Sequence, residues 1–184
     1  MEFTKAESDK MDDDDNILVS ASSFLASYSR RYETIHYIAG SNVHGFKNGF
    51  DSEFNSITDF IQNCSPQGSS ILVADMNNHC IRQVGRYSLY ATQTYTYAGL
   101  CETPGSTDGD VNSATFFQPR ALAFHESTDT LYIADAKGLR KVLDSKIVTT
   151  LIADGVIRHS LQFYPFPVYE IGRHTSELQS PVPI

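Results

Sequence analysis

The chain has no apolar run approaching the roughly 20 residues that a membrane-spanning helix needs. Its N-terminal stretch, acidic at Asp12 to Asp15, lacks the basic-then-apolar layout of a secretory leader. A cationic excess is also missing: 14 Lys and Arg stand against 22 Asp and Glu, giving a formal charge of −8 and a pI near 5.1. Nucleic-acid surfaces are normally built from clustered Lys and Arg, so this balance opposes a phosphate-binding role. Cysteine is scarce, and Cys64, Cys80 and Cys101 cannot make a dense disulfide framework. What is present, 184 residues at 41% hydrophobic and 20% charged, is the composition of one globular domain with a core of its own.

The organising pattern is the stretch Ile71 to Val84, in which Ile71-Leu72-Val73 and Ile81 to Val84 flank a polar turn at Asp75 to His79. Asx residues satisfy turn backbone and tolerate left-handed conformations, so this reads as strand, tight turn, strand. The pattern returns at Leu131-Tyr132-Ile133-Ala134-Asp135 with Leu139 to Val142, 60 residues later, and more faintly at Ile17 to Ser20, 54 residues earlier. Strand endings carry a shared marker: Ala39-Gly40, Ala98-Gly99 and Ala153-Asp154-Gly155. Glycine-rich loops follow, with Gly45, Gly49 and Asp51 in one copy and Gly105, Asp108, Gly109 and Asp110 in the next, closing on Phe54 and on Phe116-Phe117-Gln118-Pro119. Short apolar segments come after each closure, which makes a unit of four strands. Strands are expected near 57–61, 70–74, 80–84 and 94–98, and again near 120–124, 130–134, 139–143 and 147–152.

Taken together, the end marker, the Asp-Gly loop, the Phe-x-x-Pro step and Val73-Ala74-Asp75-Met76-Asn77-Asn78-His79-Cys80-Ile81-Arg82 resemble NHL repeats. Asn78, His79 and the Ile81 region stand where that family has Asn, His and Leu. The later copy departs from the pattern, with Lys137-Gly138 in place of Asn-His. The resemblance implies an all-β fold, an incomplete β-propeller built of four-stranded antiparallel blades. It divides the chain into an acidic disordered tail (1–16), a propeller segment (17–155, comprising a partial blade 17–40 and blades 41–99 and 100–153) and an uncertain tail (156–184). Within the last, Phe163-Tyr164-Pro165 echoes the Phe-Phe-Gln-Pro step, whereas residues from Glu170 resemble translated library-adapter sequence or a disordered tail. About two and a half repeats leave strand edges and faces that need neighbours, so the chain is expected to be a fragment of a longer array.

No catalytic constellation accompanies the repeat. Asp75 and Asp135 follow matching strands and are expected to accept hydrogen bonds from turn amides. Arg82 and Arg140 are expected to clamp a neighbouring blade or cover it with their stems. Asp108-x-Asp110-x-Asn112 has the spacing that opens a calcium loop, yet Gly109 lies between the first two carboxylates and the twelfth position is Pro119 rather than Glu. The histidines His36, His44, His79, His125 and His159 are dispersed, and only His79 lies on the repeat motif, so no metal site is assigned. Neither catalytic nor cofactor-binding residues are assigned. Cys80 opens the third strand of its blade and Cys101 lies just past the end of the fourth. A hairpin turning near 86–91 therefore brings them together in a disulfide, leaving Cys64 free; the alternative is a pair of isolated thiols.

The expected function is a non-catalytic platform whose loops meet a protein or peptide, with no cofactor and no nucleic-acid partner. The alternative is a propeller enzyme of the zinc lyase or hydrolase kind with its site partly in missing blades, and a third reading is an RNA-binding NHL domain. A Cys80–Cys101 bond would favour an extracellular setting.

Overall fold

The computed structural model describes residues 5–11, 16–65, 68–88, 91–143 and 146–153, and side chains over 16–62, 70–85, 92–143 and 146–153. The fold is all-β. A first antiparallel sheet runs in the order β1 (Lys5–Met11), β2 (Asn16–Ser20), β3 (Phe24–Ser29) and β4 (Thr34–Gly40). A second contains β5 (Ile57–Ser65), β6 (Gly68–Asp75), β7 (Cys80–Ser88) and β8 (Ala91–Ala98) in the same order. The third is formed by β10 (Ala121–His125), β11 (Thr130–Asp135), β12 (Gly138–Val142) and β13 (Ile147–Ala153), with the two-residue β9 (Gly109–Asp110) added outside β13. The strands expected from the apolar runs are all present. Their cause is legible in β6 and β11, where Ile, Leu, Val and Tyr suit a pleated surface packed on both sides.

One expectation is corrected. Residues 1–16 were read as a disordered acidic tail, but Lys5–Met11 forms β1, pairing with β2 through Lys5↔Ser20, Ala6↔Val19 and Glu7↔Leu18. Pairing satisfies the backbone N–H and C=O groups of β2 whatever the side chains of the added strand, so charge alone does not exclude it. The first sheet thereby has four strands rather than the partial set read over 17–40. The tail 156–184, including His159 and the adapter-like segment, lies outside the described residues.

The sheets stack face to face through shared apolar clusters. Leu18, Leu25 and Ala39 of the first sheet pack with Ile57, Phe60, Val73 and Val84 of the second. Ile61, Leu72, Ala74 and Ile81 of the second pack with Leu122, Leu131, Ile133 and Val142 of the third. Polar links cross the second junction too. The buried Asp59 carboxylate of β5 accepts the Leu122 N–H of β10 at 2.7 Å, and the Thr58 hydroxyl donates to the Pro119 carbonyl at 3.1 Å.

Each sheet carries the same irregularity. Pairing slips by one residue opposite Leu25/Ala26, Ile81/Arg82 and Leu139/Arg140, so Ile38, Tyr97 and Leu151 are bulged. The bulge bends the outer strand into the marker glycine. Gly40 has φ +87° and Gly99 φ +100°, and an added Cβ would stand 2.3 Å from the Ser23 carbonyl oxygen and 2.7 Å from the Phe116 ring respectively. The marker is therefore glycine for two reasons, left-handed backbone and close approach of what packs on it.

Candidate interaction surface

One end of the stack gathers the long connections, 41–56 from β4 to β5 and 99–120 from β8 to β10, together with the short turns β2–β3, β6–β7 and β11–β12. These segments bond to one another. Ser41 N–H donates to Ser23 O, Ile57 N–H to Ser22 O, and Glu102 N–H to Asn78 O at 2.7 Å. The β6–β7 turn is a single 3-10 turn, Met76–Asn78, closed by His79 in the left-handed region at φ 58°.

The repeat residues meet at this end, and their geometry explains the spacing. Asp75 ends β6 and Arg82 lies on β7, both side chains fully buried, with Arg82 Nη1 donating to Asp75 Oδ2 at 2.8 Å. Arg82 also reaches the loop: Nη1 donates to the Glu53 carbonyl at 3.1 Å, and Nη2 to the Lys47 carbonyl at 2.7 Å and to Asn48 Oδ1 at 2.8 Å. Its guanidinium lies over the rings of Phe46 and Phe54, 4.8 and 5.0 Å from their centroids. Asp75 Oδ1 accepts the Asn55 N–H, and Asn78 Nδ2 bridges Asp75 Oδ2 and the Gly45 carbonyl, each at 2.8 Å. Burial raises the Asp75 carboxyl above the ordinary value, opposed by the hydrogen bonds from Asn78 and Asn55 and by Arg82.

The third sheet repeats the device with one exchange. Arg140 donates to the Thr115 and Thr107 carbonyls at 3.1 and 3.0 Å and lies over Phe116. Its close carboxylate is Asp108 of the loop, at 2.6 Å, while Asp135 on β11 stands off at 3.7 Å. Asp135 instead accepts the N–H groups of Lys137 at 2.8 Å and Phe117 at 3.3 Å, the first doing the work of the missing Asn side chain. Gly138 shortens the turn; a Cβ there would stand 1.9 Å from the Ile152 carbonyl oxygen.

Asp108 and Asn48 therefore belong to the device, which motif reading assigned only to Asp75, Asn78, His79, Arg82, Asp135 and Arg140. The signal that could have found them is the paired Asn48-Gly49 and Asp108-Gly109 at equal spacing. Asp108 also accepts the Thr150 N–H and hydroxyl at 2.9 and 2.8 Å, and Asp110 accepts the Asn112 N–H and Nδ2 within its own loop. For Asp108, partial burial, which would raise the carboxyl, is outweighed by Thr150 and Arg140, and the net shift is downward. These carboxylates are spent on the fold, and among the described residues there is no group of three His, Cys, Asp or Glu placed to hold a metal.

His79 makes a contact between repeats. Its Nδ1 accepts the Gln118 N–H at 3.1 Å, and its ring stacks on Phe117 at 5.6 Å. Burial lowers its pKa. His36 bonds Thr34, and His125 bonds Thr128, each locally. Cys80 and Cys101 form a disulfide with Cα atoms 5.1 Å apart, tying the start of β7 to the loop after β8. The Cys64 side chain lies outside those described. On the loops, Val43 (58%), Phe50 (54%) and Leu100 (48%) are the large apolar residues facing solvent.

No protein-family model matches the chain, and no curated protein matches it. Solved structures do. An auxiliary nutrient binding protein from Bacteroides ovatus is 18% identical with a TM-score of 0.54, and another from Bacteroides thetaiotaomicron is 16% identical with the same score. Each match covers 74% of this chain and 33% of the other. A third, described as a candidate phosphatase from Bacteroides thetaiotaomicron, is 15% identical with a TM-score of 0.54 over 72% of this chain and 31% of its own. At such identities the likeness is one of fold, and the chain spans about a third of these proteins' length.

Proposed function

We propose that the three sheets are blades of a β-propeller of NHL type, and that the protein works as a non-catalytic platform whose loop end meets a protein or peptide. The observation that carries this reading is the paired clamp. Arg82 and Arg140, with Asp75 and Asp108, direct their hydrogen bonds inward to loop backbone, so the repeated polar residues hold loops in place rather than face a substrate. The exposed positions Val43, Phe50 and Leu100 differ in chemistry from copy to copy, as suits recognition on a rigid scaffold. The likeness to nutrient-binding proteins supports binding over catalysis, and the Cys80–Cys101 bond supports an oxidising, extracellular setting.

The test is selection of a random peptide display library on the immobilised chain, followed by counter-screening on a Val43→Asp/Leu100→Asp variant. Enriched peptides that lose binding to the variant, while its circular dichroism is unchanged, support the reading. Absence of enrichment, or a zinc ion retained stoichiometrically through purification, overturns it in favour of the zinc enzyme.

A further inference from the structure

The two outer faces of the stack are not finished surfaces. Register makes this explicit. In the second sheet, Ile61↔Leu72 and Ala74↔Ile81↔Ala98 share the face that is buried against the third sheet. The corresponding rows of the third sheet are Ala123↔Tyr132 and Ala134↔Leu139↔Ile152, on its far side. They are apolar like their counterparts, yet Ala123 is exposed, Ile152 is 37% exposed, and Tyr132, Ala134 and Leu139 are only half-buried.

The first sheet shows the complementary defect. In the third sheet the row Leu131↔Val142↔Val148 meets the second sheet and is fully buried. Its counterpart in the first sheet is Ile17↔Tyr28↔Ile35, on the side away from the second. Ile35 is 46% exposed there, and Tyr37, two residues along the same strand, is 56% exposed. Val19, Ala21, Phe24 and Ala26 on this side form a cluster drawn, among the described residues, from the first sheet alone.

A second feature sets this face apart. By register, Ala26 occupies the place of Arg82 and Arg140, and Ala21 that of Asp75 and Asp135. Both halves of the clamp are absent together. The clamp holds the loop through which the preceding sheet is covalently joined, and a neighbour that is not so joined brings no loop to hold. The face is thus an apolar one suited to a sheet arriving from another molecule.

We infer that the far face of the third sheet docks on the outer face of the first sheet of a second copy of this chain, head to tail, by the same packing that joins the sheets within one copy. The contact is heterologous, because two different faces meet. It shares with the proposed function only the stacking of sheets and makes no use of the loop end.

The test uses the full chain with Ala123→Arg on one face and Ile35→Arg on the other, both at exposed positions where the fold tolerates a charge. In sedimentation velocity, wild type should gain mass with concentration across the micromolar range. Each variant alone should associate at least roughly 30-fold more weakly, the loss expected for a central interface position. An equimolar mixture of the two should form a complex of two copies and no larger, since one competent face remains on each. Monomeric wild type at all concentrations overturns the inference and leaves the faces to another partner. Equal association of both variants and wild type, or a variant that still pairs with itself, overturns it as well. Unchanged circular dichroism of each variant separates lost docking from lost folding.

Discussion

Removing Arg82 tests how the clamp is built. Arg82→Met keeps the apolar stem but strips three loop acceptors and Asp75 of a donor. The loop carbonyls are not orphaned, since Lys47 O still accepts the Glu53 N–H and Glu53 O the Lys47 N–H. What remains unpaired is the Asp75 charge, fully buried with only Asn78 and the Asn55 N–H beside it. Breaking one side of a buried ion pair costs about 3–5 kcal/mol. For a chain of this size that lowers Tm by roughly 6–20 °C. Asp75→Asn in the Arg82→Met background removes the stranded charge and keeps an oxygen for the Asn55 N–H, so the double variant should lie within about 1–2 kcal/mol of wild type. The first sheet carries a natural version of this change in Ala21 and Ala26, and it folds. Urea unfolding of the four proteins gives the coupling energy, expected at about 2 kcal/mol or more, and hydrogen exchange at the Gly45 and Glu53 amides reports the loop directly. Additive losses in the double variant would refute the argument that charge burial, rather than loss of individual hydrogen bonds, dominates.

Two further outcomes are expected. Replacing Cys80 and Cys101 by Ser, which opens a loop of 21 residues, should cost about 3 kcal/mol on the chain-entropy estimate, read as a lower urea midpoint equal to that of wild type in reductant. His79 should make stability sensitive to mild acid. Its folded pKa is depressed by burial, so its contribution is complete above the unfolded value of about 6.5 and is lost as pH falls from there through the folded pKa. Protonation of Nδ1 also removes the acceptor for the Gln118 N–H. In His79→Gln the slope of stability against pH over this window should flatten, and an unchanged slope would exclude His79 as its source.

Periodicity, marker glycines and the Asx turns by themselves determined where the strands of the second and third sheets lie, because strand alternation and turn chemistry act over a few residues. They also brought Cys80 and Cys101 together, since hairpin pairing fixes which residues stand opposite. Tertiary structure decided the rest. An acidic stretch, Lys5–Met11, became a strand because β2 offered it an edge, which nothing in its own composition shows. Arg82 and Arg140 were expected to reach a neighbouring blade or cover it with their stems, and they hold the loops that lead into their own sheets, where carbonyls 29 and 35 residues away in one case supply acceptors. Asp108 turned from a candidate calcium ligand into the partner of Arg140 for the same reason. A charged group's role depends on which acceptors the folded loops bring within 3 Å of it, and that distance is settled by closure of the whole sheet rather than by spacing along the chain.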